Sequence, residues 1–322
     1  MRRVLVTHLD SPIGRRLVKA LYHDPDVSLV FGVGTSPPPT FLDPYRDKCF
    51  YERLDLAKAR HLNHFVRSER FLRARFNSVI HLPFASDDGP EHIPGNVPSL
   101  VSETRRLLAE CRKHAEIARF IYLSSAFVYQ PEPGSGNLVN EETQLGFDVD
   151  RSREVRSWID ADLICQGELK DPDLMMTILR AATIVCDGGR FLLSPPLSDP
   201  SMSPGYNPMI SVIADRDVAR ALLLALHGDH AGIYNISGSD DFPRSELLSP
   251  ISRLGPFPIP RLLSGALSLI DGLWGSADRV LTRYGVVLDT RLAAEKLGFE
   301  PLYRIEVRGR GQDRRIDTVR CR

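Results

Sequence analysis

The 322-residue sequence lacks the features that mark several specialised classes of protein. Its five cysteines are scattered, with no Cys-x-x-Cys pair and no metal-ligand spacing, which argues against a disulfide framework or a metal site. No uncharged apolar run approaches the roughly 18 residues that a membrane-spanning helix needs, and no signal-peptide core follows the first residues. The 41 basic and 41 acidic residues cancel, so charge gives no reason to expect a nucleic-acid partner. We therefore expect a cytoplasmic protein with no transmembrane segment.

Short apolar runs separated by helical patterns fill the first two-thirds of the chain. The apolar runs lie at 4–6, 29–33, 78–82, 120–125 and 175–179. The helical patterns lie near 13–23, 57–69, 97–115 and 153–168. Because the apolar runs do not alternate with polar residues, they predict parallel strands that are buried on both faces. The expected fold class is therefore α/β, a doubly wound parallel sheet with ligands at the carboxyl ends of its strands.

The composition and the hydrophobic pattern of the sequence change after residue 186. Loops rich in Pro, Ser and Gly (194–208) precede a predicted helix near 215–227 and a short strand at 233–236. Residues 258–283 have the pattern of one or two amphipathic helices. Their apolar face is expected to be core or a lid, with a partner surface as the alternative.

These changes predict three parts. Residues 1–186 form the main α/β domain, and 187–303 form a smaller substrate-type α/β subdomain whose chain returns to the sheet near 210–236. Residues 304–322 carry seven arginines against three acidic residues and read as a basic tail. We expect that tail to be solvated or frayed, with a docking segment for an acidic partner as the alternative.

The order of the segments resembles that of the extended short-chain dehydrogenase/reductase family, of the NAD-dependent epimerase/dehydratase type. The segments that carry the resemblance are VLVTHLDSPIG (4–14), VIHLPFAS (79–86), YLSSAFVY (122–129), TILRAATIV (177–185), IADRDVARALLLAL (213–226), YNISG (234–238) and LDTRLAAEKLGFEP (288–301). The resemblance implies a Rossmann-like fold with NAD or NADP as the cofactor, if any is bound. It also implies a homodimer through the helices near 97–115 and 153–168.

The family's nucleotide turn has three glycines, and this chain keeps one of them. The first glycine permits a tight turn, the second admits the pyrophosphate, and the third lets the helix pack closely. Here His8 and Ser11 occupy the first two positions, and Gly14 keeps the third. The side chains of His8 and Ser11 would intrude on a diphosphate. Asp10 would also compete with the phosphates for the positive end of the helix.

The resemblance places further residues at the cofactor. Gly34 stands where the family usually has an acidic residue that holds the ribose hydroxyls. The other positions are Pro12, Ile13, Asp55, Leu56 and Leu82, of which Asp55 and Leu56 would lie beside the adenine. Two of the three glycines and the ribose carboxylate are missing. We therefore expect a dinucleotide to bind weakly, with no bound cofactor as the alternative.

The family's catalytic pair is a tyrosine and a lysine four residues apart on a helix, where the lysine lowers the pKa of the tyrosine. The segment EVRSWIDADLI (154–164) resembles the family's YARSKVEADRL, which places Glu154 in the tyrosine position and Trp158 in the lysine position. No tyrosine occurs between Tyr129 and Tyr206, so the absence of the pair does not depend on the alignment.

The active-site serine position is Ser124 or Ser125. A serine without the tyrosine is a weak proton donor, and we expect a structural hydroxyl bonded to backbone. For His8 we likewise expect a local hydrogen bond within the turn, and for Glu154 an exposed position on its helix.

The losses favour a pseudoenzyme with a binding, scaffolding or regulatory role. One alternative is an oxidoreductase or sugar-nucleotide epimerase/dehydratase with a rearranged site, in which Glu154 is the base. Another is a nucleotide sensor that binds without turnover.

Overall fold

The computed structural model describes residues 1–82, 97–130, 138–147, 151, 153–192, 207–248, 285–308 and 315–321. The amphipathic helices predicted within 258–283 lie outside these residues, as does most of the loop predicted at 194–208.

Seven α-helices lie within the described residues. They are α1 (Pro12–His23), α2 (Ala59–Val66), α3 (Glu69–Ala74), α4 (Val97–Cys111), α5 (Arg153–Gln166), α6 (Asp215–His227) and α7 (Arg244–Leu248). None of these helices combines the length and the apolar character needed to cross a membrane.

The same residues contain fifteen strands. They are β1 (Arg2–Thr7), β2 (Val27–Gly34), β3 (Cys49–Arg53), β4 (Ser78–His81), β5 (Arg119–Ser125), β6 (Leu138–Val139), β7 (Met175–Ala181), β8 (Thr183–Cys186), β9 (Arg190–Leu192), β10 (Met209–Ala214), β11 (Gly232–Ile236), β12 (Asp241–Pro243), β13 (Val287–Leu288), β14 (Tyr303–Arg308) and β15 (Arg315–Arg320).

The main sheet has seven strands in the order β11-β7-β5-β4-β1-β2-β3, and every pair is parallel. Strands β1, β4, β5 and β7 are almost wholly buried, as their apolar runs predict. Helix α1 packs on α6 and helix α4 packs on α5. The fold is therefore the doubly wound, Rossmann-like α/β fold predicted from the sequence.

The order of the strands predicts where the candidate site lies. The chain runs from β1 to β2 and β3 on one side, and continues from β4 to β5 and β7 on the other. The order thus reverses between β1 and β4. In open α/β sheets a crevice forms at this reversal, outside the carboxyl ends of the strands. The residues that follow β1, β2 and β4 line that edge.

The helix predicted near 57–69 is two helices in the structure. Helix α2 ends at Val66, and Ser68 begins α3 by accepting a hydrogen bond from the amide of Phe71 at 3.2 Å. A serine cap of this kind starts a new helix even where apolar periodicity continues. Helix α4 also ends at Cys111, four residues before the predicted end.

The prediction of a frayed tail is wrong for the described part of 304–322. Strands β14 and β15 form an antiparallel pair, and the predicted boundary after residue 303 falls inside β14. Ile305 and Ile316 are buried in a small core with residues of β8 and β10. The Thr318 hydroxyl also donates to Asp187 at 2.7 Å. Alternating apolar residues between the arginines, which the charge count obscured, explain why this segment packs.

Candidate functional site

The turn between β1 and α1 keeps a left-handed residue at its first position. His8 has a φ of 47°, in the region that favours glycine. The Leu9 amide donates to the Val33 carbonyl at 3.1 Å, and the Ser11 amide donates to the His8 carbonyl at 3.0 Å. The backbone therefore makes the tight turn expected of the family's first glycine, although a histidine occupies the position.

Helix α1 begins at Pro12, with Ser11 as its cap. The hydroxyl of Ser11 accepts a hydrogen bond from the amide of Gly14 at 3.1 Å, and Pro12 follows as the first helical residue. Ile13 is buried in the main core. A Cβ atom at Gly14 would meet the carbonyl oxygen of Leu9 and lie 2.7 Å from its Cα atom. Gly14 thus allows the first helical turn to approach the end of β1.

The side chain of Asp10 contacts the end of β2 and does not cap helix α1, whose cap is Ser11. One oxygen of the Asp10 carboxylate, Oδ2, accepts a hydrogen bond from the amide of Ser36 at 2.9 Å. The other oxygen, Oδ1, lies where a Cβ atom of Gly34 would be, beside the hydroxyl of Tyr51. The sequence suggested that Asp10 competes with phosphate at the helix end. Its carboxylate instead occupies the space at the end of β2.

The His8 ring forms a buried ion pair with Glu103 of α4, at 2.6 Å from Nε2 to Oε1. The expected local bond within the turn is wrong, because the partner lies 95 residues away. Burial disfavours the charged ring, but attraction to Glu103 outweighs it and raises the pKa of His8. The same pairing lowers the pKa of Glu103 against the effect of burial. The geometry therefore favours a protonated His8 ring beside an ionised Glu103 carboxylate.

Behind His8, the ring of His81 is held between two threonines. Its Nδ1 lies 2.8 Å from the Thr7 hydroxyl and its Nε2 lies 3.0 Å from the Thr104 hydroxyl. Burial lowers the pKa of His81 to about 4, so this ring is neutral. Leu82 is buried beside it and donates its amide to the Thr7 hydroxyl at 3.0 Å. These contacts join the ends of β1 and β4.

Asp55 and Leu56 follow β3 at the same edge. The Asp55 carboxylate accepts the Ala57 amide at 3.1 Å and pairs with the Lys58 ammonium at 3.1 Å, while Leu56 is buried in the main core. Their placement beside an adenine stays a prediction.

The two candidate serines end β5 and have different partners. The Ser125 hydroxyl accepts a hydrogen bond from the amide of Phe127 at 3.2 Å, so the predicted backbone bond is found there. The Ser124 hydroxyl donates to the carboxylate of Asp162 at 2.5 Å, so the expectation of a backbone partner is wrong for Ser124.

Asp162 belongs to a buried polar network. Its carboxylate accepts from Arg180 at 3.1 and 2.7 Å and from Gln166 at 2.7 Å. The guanidinium of Arg180 lies 4.8 Å from the centre of the Tyr129 ring. The Tyr129 hydroxyl donates to Asn235 at 2.6 Å. The network joins β5, α5, β7 and β11. The Ser124 hydroxyl is one of its hydrogen-bond donors and thus has a structural role.

Glu154 and Trp158 lie four residues apart on α5, as the tyrosine and lysine of the family do. Glu154 is half-buried in the first turn of the helix, where an exposed position was expected. Trp158 is only 5% exposed and packs in the main core. An indole in this place has no ammonium to stabilise a phenolate or to bind a ribose.

Sequence reasoning missed Glu103 and the role of Asp162. Both are acidic residues that the structure buries on a helix, and a buried carboxylate requires a buried partner. The sequence does not identify His8 or Arg180 as that partner.

One group of three potential metal ligands lies among the described residues, namely Asp24, Asp26 and His227. It is at the amino ends of the strands, opposite the candidate site. The His227 ring is bonded to Asp24 directly, and Asp26 lies 3.9 Å from its other nitrogen. The two ring nitrogens thus face different carboxylates.

No protein-family model matches the chain, and no curated protein matches it by sequence.

Solved structures of sugar-nucleotide enzymes share its fold. The dTDP-glucose 4,6-dehydratase of Streptomyces venezuelae, solved with NAD and TYD bound, is 20% identical with a TM-score of 0.65, covering 94% of this chain and 92% of its own. The dTDP-glucose 4,6-dehydratase of Bacillus anthracis, solved in complex with NAD, is 15% identical with a TM-score of 0.64, covering 94% and 92%. The UDP-glucose 4-epimerase of Thermotoga maritima, solved with UDP-glucose, is 18% identical with a TM-score of 0.64, covering 92% and 93%. The fold is thus that of the extended short-chain dehydrogenase/reductases.

Proposed function

We propose that the protein is a non-catalytic form of this fold, with a binding, scaffolding or regulatory role in place of hydride transfer. The observation that carries the proposal is the pair Glu154 and Trp158 on α5. The family's pair needs a lysine that lowers the pKa of a proton-transferring tyrosine, and the buried, uncharged indole of Trp158 does not supply that ammonium.

The serines support the same proposal. The Ser124 hydroxyl donates a hydrogen bond to the Asp162 carboxylate, and the Ser125 hydroxyl accepts a hydrogen bond from a backbone amide. Neither is positioned by a tyrosine, since that residue is missing from α5. Both serine hydroxyls are therefore engaged in structural hydrogen bonds.

NAD or NADP is the cofactor class that the similar structures support, because several of them hold NAD. The residues of this chain fit it poorly. The carboxylate of Asp10 fills the space above Gly34, and the two phosphate-facing glycines are replaced by His8 and Ser11. When bound, such a cofactor would supply hydride chemistry, for which this chain offers no proton donor of the family type.

The test is to incubate the protein with NAD and either UDP-glucose or dTDP-glucose, and to separate the products by chromatography. We expect no turnover. Turnover that the Glu154→Gln variant abolishes would overturn the proposal in favour of the rearranged enzyme. Trp158→Phe, which keeps an aromatic ring in the core, is the matched control on α5.

We also propose a homodimer formed through α4 and α5, which pack on one another and leave Leu163 of α5 exposed. Light scattering after size-exclusion chromatography tests it, and a monomer at tens of micromolar would contradict it. We also propose a reducing, cytoplasmic setting, because the five cysteines form no disulfide with one another.

A further inference from the structure

A pocket of about 250 Å³, its open mouth included, lies at the amino edge of the main sheet, opposite the candidate site. Its walls come from α3, from the segment before β4 and from the segment between α4 and β5. Pockets for drug-sized ligands measure roughly 300–1,000 Å³. This pocket therefore suits a small metabolite.

The floor of the pocket is apolar and fixed by packing. Phe71, Phe76 and Ile117 line it, are at most 6% exposed and belong to the main core. The rings of Phe71 and Phe76 meet edge to face with their centres 5.3 Å apart, and the ring of His114 lies 5.0 Å from that of Phe71. Leu72 also lines the pocket and is 55% exposed, so it marks the mouth. An apolar group that entered would leave water for a surface that is already formed.

Two opposite charges stand on the rim of this pocket. Arg75 and Glu116 both line it, and both are exposed. Within the part of the chain that the structure describes, neither forms an ion pair, whereas the neighbouring Arg73 pairs with Glu69. A cation and an anion on one rim complement a ligand that carries one charge of each sign.

The backbone keeps Arg75 at the rim. Arg75 follows the last turn of α3 with a φ of 45°, in the left-handed region. The side chain of Arg3 donates to the carbonyls of Ala74 and Arg73, which ties this end of α3 to β1. The left-handed turn leaves Arg75 exposed and the next residue, Phe76, only 2% exposed on the floor. The cation and the apolar floor are thus held side by side.

We propose that this pocket binds a free α-amino acid with a branched apolar side chain, such as leucine. The side chain lies against Phe71, Phe76 and Ile117. The carboxylate pairs with Arg75, and the ammonium pairs with Glu116. Because the pocket lies at the edge of the sheet opposite the candidate site, its occupation does not depend on the proposed function.

The test is an NMR titration of the full chain with L-leucine, isoamylamine, isocaproate and glycine. Isoamylamine is leucine without the carboxylate, isocaproate is leucine without the ammonium, and glycine lacks the side chain. We expect leucine to bind about three- to fivefold more tightly than either singly charged compound, the difference that an exposed ion pair makes. It should bind at least about tenfold more tightly than glycine, which buries no apolar side chain. The amide signals of Phe76 and Ile117 should shift with leucine.

Two variants assign the two charges. Arg75→Gly removes the guanidinium at a left-handed position that glycine adopts without strain, and it should bind leucine no more tightly than isoamylamine. Glu116→Gln should bind leucine no more tightly than isocaproate. Arg73→Gln removes an exposed guanidinium that does not line the pocket, and this control should keep the preferences of the unmodified protein.

Leucine binding weaker than about 10 mM would overturn the inference. Equal binding of leucine and glycine would also overturn it, as would an Arg75→Gly variant that still prefers leucine to isoamylamine. Turnover of a sugar nucleotide would defeat the proposed function and leave these three comparisons unaffected.

Discussion

The Ser124 hydroxyl donates to the carboxylate of Asp162 over 2.5 Å, in a region where both side chains are fully buried. A serine in the position of a catalytic group thus supports an ion pair between Asp162 and Arg180. The same hydroxyl could not serve a reaction without removing a donor from that buried carboxylate.

Replacing this serine should destabilise the protein. We expect Ser124→Ala to lower the free energy of unfolding by about 1–3 kcal/mol, because a buried charged acceptor loses one of its donors. Ser125→Ala is the control and should cost about 1 kcal/mol or less, since its hydroxyl accepts from a neutral amide. Urea denaturation measures both. Equal costs would contradict the assigned difference.

The close approach at Gly14 gives a second prediction. Gly14→Ala should destabilise the protein by about 1–3 kcal/mol, because the new methyl group would overlap the backbone of Leu9. Lys19→Ala, on the exposed face of the same helix, should change stability by less than about 0.5 kcal/mol. Thermal unfolding of the two variants makes the comparison, and a neutral Gly14→Ala would show that the turn can relax.

The ion pair between His8 and Glu103 predicts a dependence of stability on pH. Because pairing raises the pKa of His8 above 6.5, its contribution is complete below 6.5 and is lost as the pH rises through the folded-state value. Because pairing lowers the pKa of Glu103 below 4.5, its contribution is complete above 4.5 and is lost as the pH falls through the folded-state value. The pair therefore stabilises most between these two ordinary values.

The corresponding experiment is urea denaturation from about pH 5.5 to about pH 8.5. The free energy of unfolding should fall over this range, and the fall should shrink in Glu103→Gln, in which His8 loses its charged partner. His23→Gln, an exposed histidine at the end of α1, should retain the slope of the unmodified protein. A slope that survives in Glu103→Gln would mean that other groups cause it.

Asp187 connects the β14–β15 hairpin to the rest of the fold. It accepts from Arg16, from Arg216 at 3.0 Å and from Thr318 at 2.7 Å, and these bonds outweigh burial and lower its pKa to about 2. Its contribution should be complete above its ordinary pKa of 3.8 and be lost as the pH falls through about 2.

The Asp187→Asn variant should cost about 1 kcal/mol or less, since the carboxylate is about half exposed. We expect faster amide exchange in β15 and unchanged exchange in β5. Equal exchange in β15 of the variant and of the unmodified protein would contradict the role of Asp187.

The doubly wound parallel sheet could be predicted from the sequence, because its strands are short apolar runs separated by helical patterns. The partners of His8, Asp10 and Ser124 could not, because each lies 26 or more residues away and is set by the meeting of separate elements. The hairpin was missed for another reason. Its arginines dominated the charge count, although Ile305 and Ile316 carry a strand pattern.

The bonds at Asp187 also bear on the time course of folding. The carboxylate joins Arg16, 171 residues before it, to Thr318, 131 residues after it. Contacts between such distant parts of a chain form late, because the entropy of closing large loops must be lost before the contact contributes. The main sheet should therefore assemble first, and the hairpin should be the last region to gain protection and the first to open.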